Sequence, residues 1–167
     1  MSPMTLGFEK TSCLTRRTWL GLALLLGTVH AIGVESATLP AAKSLRDELT
    51  LALQGGNPLV VLVSLDGCPF CKMVRELYLR PLRQQQGLPI VQVDMRSASV
   101  AQDFNGTALT HDGLVHAWNV TLAPTVLFFG RNGAEVAPRL EGMGSLDYYG
   151  AFLDARLEQA RSAVKSL

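Results

Sequence analysis

An α/β fold, with a central mixed β-sheet flanked by helices, is what three features of the sequence predict. Short β-branched runs alternate with segments of helical periodicity. One of those runs, Leu59–Leu65, is apolar almost throughout, which suits a strand buried on both faces. Towards the C-terminal end, a strand, a tight turn and a returning strand precede a closing helix, so strand directions are mixed.

Each element can be justified in order. Pro40-Ala41-Ala42 can open a helix, and Leu45, Leu49, Ala52 and Leu53 then fall on one face. Gly55-Gly56 stops it, and Asn57-Pro58 turns the chain into the strand at 59–65. Asp66-Gly67 ends that strand. Cys68-Pro69 begins a second helix, with proline in the first turn, where its missing N–H costs nothing. Val74, Leu77 and Tyr78 form its apolar stripe, and Pro81 ends or kinks it. After the loop Gly87-Leu88-Pro89, Ile90–Val93 reads as a parallel strand closed by Asp94. Asn105-Gly106 favours a two-residue hairpin turn, with Val100–Phe104 and Thr107–Leu109 as arms. This makes a small insertion before the next strand. Thr110 caps a short helix running to Trp118. Thr125–Phe129 is a strand, Arg131-Asn132-Gly133 its turn, and Ala134–Leu140 the antiparallel return. Gly142 and Gly144 break the chain, and Ser145 caps a final helix. Tyr148 or Tyr149, Phe152, Leu153 and Leu157 share its inner face.

The first 37 residues have a different character. Arg16 and Arg17 form a basic region ahead of the apolar run Trp19–Val29. Small residues at Val29 and Ala31, or at Ser36 and Ala37, offer cleavage points. The run is short for a span of about 20 residues, so a cleaved export signal is the first reading and an uncleaved anchor the second. Thr15-Arg16-Arg17-Thr18-Trp19-Leu20 resembles a twin-arginine signal, and the general export route fits as well. Residues 1–37 are therefore assigned to a signal peptide or N-terminal membrane anchor, and 38–167 to one domain, placed outside the cytoplasm, periplasmic in a bacterium. Cys13 precedes the apolar run, is badly placed for lipidation and leaves with a cleaved signal.

From Thr38 onward, basic and acidic residues are equal in number. There is neither a basic footprint for nucleic acid nor a polybasic patch for anionic lipid. Of the three cysteines only Cys68 and Cys71 remain, too few for a disulfide-stapled scaffold.

The chemistry rests on Cys68-Pro69-Phe70-Cys71 at a strand-to-helix junction. Disulfide exchange needs a thiolate. The first turn of a helix offers unpaired N–H groups and a partial positive charge, so Cys68 is the expected nucleophile. Cys71, one turn on, can reach it and resolve a mixed disulfide. Two other readings remain. A structural bridge here would close a tiny loop and remove little chain entropy. A metal site has few ligands to draw on, only His111 and His116 beyond the two thiols, although two sulfurs suffice for a Cu(I) carrier. The two histidines are five apart and share a helix face poorly, so a surface or partly buried role suits them better than catalysis. Trp118, Phe128 and Phe129 read as core. Asp66 and Glu76 read as solvated surface carboxylates.

These residues resemble the thioredoxin superfamily over about residues 42–162. The block Leu59–Tyr78 and the segment Ala123-Pro124-Thr125 before a strand carry the resemblance. It implies a cis peptide at Ala123–Pro124 that faces the cysteine pair and holds substrate backbone. It also implies a substrate-facing glycine at Gly142, and substrate contacts from Pro69 and Phe70. The insertion around Asp103-Phe104-Asn105-Gly106, followed by Leu109-Thr110, resembles exported bacterial thioredoxins of the SoxW type. There are two departures. Thioredoxins carry tryptophan where this chain has Gly67, and a buried carboxylate where it has Leu62.

The function the resemblance implies is thiol–disulfide exchange on protein disulfides or thiols. The dithiol itself is the redox centre and no other cofactor is called for. There is no room for a helical insertion as in DsbA or for a dimerisation domain as in DsbC. Both points favour a monomeric reductase recharged by a membrane electron donor. Potentials on this fold run from about −270 mV for thioredoxin to about −120 mV for DsbA, and Pro69-Phe70 does not place this chain between them.

Overall fold

The structure, a computed structural model, describes residues 38–166. The features read from residues 1–37, including Cys13, the paired arginines and the apolar run, lie outside the described residues.

Strand β1 (Leu59–Ser64) is buried along its whole length, as its unbroken apolar run requires. It pairs in parallel with β2 (Ile90–Asp94), Val61 opposite Val91. On its other side it pairs antiparallel with β5 (Thr125–Phe129), Val61 opposite Leu127. A short β6 (Leu140–Glu141) completes the order β2-β1-β5-β6. Strands β3 (Val100–Gln102) and β4 (Ala108–Thr110) form a separate hairpin.

The pleat sorts the sheet into two faces. Leu59, Val61 and Val63 pack with Leu45, Leu49 and Ala52 of helix α1 (Leu45–Gln54), and with Leu114 and Val115 of α4 (His111–Ala117). Val60, Leu62, Ile90, Val126 and Phe128 face the other way, onto Val74, Leu79 and the inner face of α5 (Leu146–Lys165). Helices therefore cover both faces of the mixed sheet, as the sequence predicts.

Several elements differ from expectation. Pro40–Ala42 does not open α1. It runs extended along β2, with Ala41 bridging Gln92 and the Pro40 carbonyl accepting the Gln92 N–H at 2.8 Å. Ser44 caps α1 instead, its hydroxyl accepting the Asp47 N–H. Pro81 does not end the second helix, which runs as α2 (Pro69–Met73), a π-helical stretch (Val74–Leu79) and α3 (Arg80–Gln86). Proline has no N–H for the carbonyl four residues back, and the turn before it widens, with the Arg80 N–H donating to the Arg75 carbonyl. The extra residue rotates the apolar stripe. Val74 and Leu79, five apart, are both buried, while Leu77 is 60% exposed.

The 100–110 hairpin forms, but its turn is not Asn105-Gly106 alone. The Gly106 N–H donates to the Asp103 carbonyl, and the Asp103 side chain accepts from the N–H groups of Asn105 and Thr107. Gly106 follows at φ +86°, a region open to glycine. Thr110 caps α4 through the Gly113 N–H, as expected. The return after the 131–133 turn is irregular. Glu135 bridges Phe129 and the Val136 N–H donates to the Phe128 carbonyl at 2.9 Å, the antiparallel pairing then breaks at Pro138, which has no N–H to donate, and it resumes at β6. Ser145 stands at the N-cap of α5, but its side chain makes no capping bond. On α5, Tyr149, Leu153 and Leu157 face the core, whereas Tyr148 and Phe152 face solvent.

Candidate functional site

The turn leaving β1 sets the position of the cysteines. The Cys68 N–H donates to the Leu65 carbonyl, and Gly67, third in that turn, has φ +70°. A turn of this kind needs a left-handed residue there, which accounts for glycine where thioredoxins have tryptophan. The Asp66 carboxylate accepts the Gly67 N–H at 3.0 Å. Cys68 then serves as N-cap, and its sulfur accepts the Cys71 N–H at 3.1 Å. Pro69 occupies the first helical turn.

Cys68 and Cys71 form a disulfide, with Cα atoms 5.3 Å apart. Their environments differ. Cys68 is half-buried, while Cys71 has no exposed surface. Between them Phe70 projects outward, 55% exposed. An attacking or leaving group from outside thus has access to one sulfur only.

The Ala123–Pro124 peptide is cis. Thr125, the next residue, pairs with Val63, so this segment lies at the same end of the sheet as the turn that delivers Cys68. The Pro124 carbonyl accepts the Gly142 N–H at 2.7 Å, which brings Pro124 and Gly142 together. Gly142 has φ +70°, and a Cβ there would lie 3.3 Å from the half-exposed Leu122 side chain. Pro124 itself is buried and Ala123 half-buried.

On the other side of Cys68, towards β2, lies a cavity of about 910 Å³. Lys72, Arg75, Asp94 and Arg96 line it with Cys68 and Asp66. The Arg75 guanidinium donates to the Gln92 side-chain oxygen at 2.8 Å, and the Gln92 amide donates to Asp94 at 2.6 Å. These basic residues escaped the sequence reading. For Lys72 and Arg75 the signal was their spacing from Cys68, at i+4 and i+7, whereas Arg96, on the loop after β2, gave none.

Leu62 is fully buried, in the same cluster as Val74. His111 is buried too, with a structural role. The Asp94 N–H donates to its Nδ1 at 3.1 Å, and its Nε2 lies 3.0 Å from the Ala42 carbonyl. A backbone N–H can only donate, so Nε2 carries the ring proton. His116 is exposed, beside Asp112.

A mixed sheet between two helical layers, with a CxxC disulfide heading the helix that follows the central strand, defines the class of thiol–disulfide oxidoreductases. The profile of the thioredoxin-like domain family matches residues 45–156, more than half of the chain, and the chain belongs to that family. It is similar to the solved structure of Trxlp from Edwardsiella tarda, at 27% identity over 68% of this chain and 97% of that one, with a TM-score of 0.46. It is also similar to the periplasmic thioredoxin SoxS from Paracoccus pantotrophus (19% identity, 62% and 98% of the two chains, TM-score 0.41). A third is thioredoxin O2 from Arabidopsis thaliana (18% identity, 71% and 93%, TM-score 0.46). No protein of curated function matches the chain.

Proposed function

We propose that this oxidoreductase is a monomeric reductase of protein disulfides outside the cytoplasm. The observation that carries the proposal is the asymmetry of the pair: an accessible Cys68 receiving a helix N–H, and a Cys71 with no exposed surface. Once the pair is reduced, the same N–H and the partial charge of the first turn favour the Cys68 thiolate. It attacks a substrate disulfide and expels one substrate thiolate. Cys71 then loses its proton, attacks the Cys68 sulfur and releases the second substrate thiol. Substrate is reduced by two electrons, and an external dithiol, supplied by a membrane donor, restores the pair.

Ala123, Pro124 and Gly142 form the docking edge for substrate backbone, with Pro69 and Phe70 on the opposite lip. The end of the sheet they share with the Cys68 turn supports this reading. The basic and apolar pattern of residues 16–29 supports export.

Trapping tests the proposal. The variant Cys71→Ser, expressed in the exporting cell, is expected to hold partner proteins as mixed disulfides that dithiothreitol releases, whereas Cys68→Ser holds none. Brief alkylation of reduced wild type should label Cys68 before Cys71. Faster labelling of Cys71, or no released partners, overturns the proposal. Anaerobic Cu(I) loading, read by mass spectrometry, tests the alternative of a copper carrier.

A further inference from the structure

The cavity on the β2 side of Cys68 lies apart from the proposed docking edge formed by Pro124 and Gly142. It is built largely from a helix face. Cys68, Lys72 and Arg75 succeed one another at i, i+4 and i+7, and Arg96 faces them from the loop after β2. Arg96 has φ +60°, and its backbone is held by a 2.8 Å hydrogen bond from its N–H to the Asp112 carboxylate. Two carboxylates also line the cavity, and each takes one hydrogen bond from an uncharged amide. Asp94 accepts from the Gln92 amide, and Asp66 from the Gly67 N–H. Arg75 spends one donor on Gln92, and a guanidinium has five. Among the described residues, no ion pair takes up Lys72 or Arg96. Three cations, Lys72, Arg75 and Arg96, against two carboxylates leave the lining net positive beside the attacking sulfur.

We propose that this cavity is a carboxylate-recognising subsite, so that the protein prefers disulfides carrying an acidic group next to the sulfur that Cys68 attacks. The inference rests on the oxidoreductase reading above and adds its substrate class. The carboxylate can belong to an acidic residue beside a protein cysteine or to a small carboxylate-bearing thiol such as glutathione. In either case the covalent step is unchanged. Cys68 forms a bond to one substrate sulfur, the substrate S–S bond breaks, and the electron pair leaves on the other sulfur. The carboxylate, held by Lys72 and Arg96, orients the disulfide for that attack. Dithiothreitol supplies the two electrons in the assay.

The full chain, reduced by dithiothreitol, would be assayed on two peptide disulfides that differ only in glutamate or lysine beside the cysteine. Oxidised glutathione and the uncharged bis(2-hydroxyethyl) disulfide complete the set. Charge on a peptide alters its own thiol chemistry equally for every form of the protein. The readout is therefore the change in the glutamate-to-lysine rate ratio between wild type and the exposed-residue variants Lys72→Glu and Arg96→Glu. That ratio is expected to fall about fivefold or more in each variant at low ionic strength, and the difference should shrink in high salt. A fall for both peptides and glutathione supports the subsite for either source. A fall for the peptides alone assigns it to proteins, and a fall for glutathione alone assigns it to the small thiol. Ratios and glutathione rates that match wild type in both variants overturn the proposal. Inactivity of wild type on all four disulfides overturns the oxidoreductase reading itself, and this inference with it.

Discussion

Leu62 stands on the central strand with no exposed surface, where thioredoxins carry a carboxylate. A buried acid near the resolving cysteine raises that thiol's pKa by like-charge repulsion and can also accept its proton. Leu62 can do neither, so the Cys71 proton leaves to water or substrate. The resolving step should therefore be slow near neutral pH and accelerate as pH rises. Leu62→Asp is expected to cost about 2–4 kcal/mol of stability, because it buries an ionisable group without a partner. It should also flatten that pH dependence. Stopped-flow reduction of a model disulfide across pH checks both proteins, and superimposable profiles would show that position 62 does not act on the pair. Tyr149 offers a second test at this scale. Its ring packs on Tyr78 with centroids 5.0 Å apart, and its hydroxyl has no hydrogen-bond partner among the described residues. Burial first, and the neighbouring Tyr78 second, push its pKa well above the ordinary tyrosine value. The folded state then keeps a proton that the unfolded chain releases. The stability this contributes is complete below the ordinary tyrosine pKa of about 10 and is lost as pH rises beyond it. Tyr149→Phe should remove that alkaline loss and leave neutral-pH stability equal or about 1 kcal/mol higher, read from urea midpoints at both pH values.

At the scale of elements, the hairpin of β3 and β4 is fastened to the body in part by one aromatic side chain. Phe104, in its turn, lies 4.7 Å from Phe129 and 6.4 Å from Trp118 between ring centroids. A Cβ on Gly133 would sit 2.5 Å from the Phe104 ring, and Gly133 has φ +69°, so glycine is needed there on both counts. Arg46 of α1 binds the Phe104 and Asn105 carbonyls from the other side. Phe104→Ala should therefore cost about 1–3 kcal/mol in urea unfolding, less than a fully buried phenylalanine because the ring is only half-buried. A change within error would mean that the Phe104 ring does not help to hold the hairpin. The helix carrying the cysteines teaches a related lesson. An α-helical period selects Leu77, whereas the π-helical stretch before Pro81 selects Leu79.

For the molecule as a whole, the extended stretch at 39–44 closes the structure. Leu39 enters one core cluster and Ala42 the other, and the intervening backbone pairs with β2. Ser44 and Lys43 then meet the hairpin, Ser44 bridging Gln102 and the Lys43 carbonyl accepting the Gln102 N–H. A chain beginning at Thr38 should unfold in one cooperative transition. A chain beginning at Ser44 loses the buried Leu39 and the cover on the β2 edge. It should be weaker by about 3 kcal/mol, on the order of 10 °C in Tm. Calorimetry of the two proteins decides this, and equal midpoints would mean that the segment contributes nothing to the core.

What the sequence determined by itself is what local rules govern. The apolar run at 59–65, the prolines and glycines at the turns, and the Cys68-to-Cys71 spacing at a helix start were enough for the fold class, the strand order along the chain and the redox pair. These depend on period, turn chemistry and the reach of one helical turn, all of which act between near neighbours. The tertiary structure alone decided three further things. Pro40–Ala42 became a sheet edge rather than a helix start, because β2, fifty residues on, offered unpaired backbone groups. His111 was drawn into the interior, because the Asp94 N–H and the Ala42 carbonyl together satisfy both ring nitrogens. The basic cavity beside Cys68 arose because the 95–97 loop brings Arg96 opposite Lys72 and Arg75. Charges that are distant in sequence declare a common site only when folding sets them around the same space.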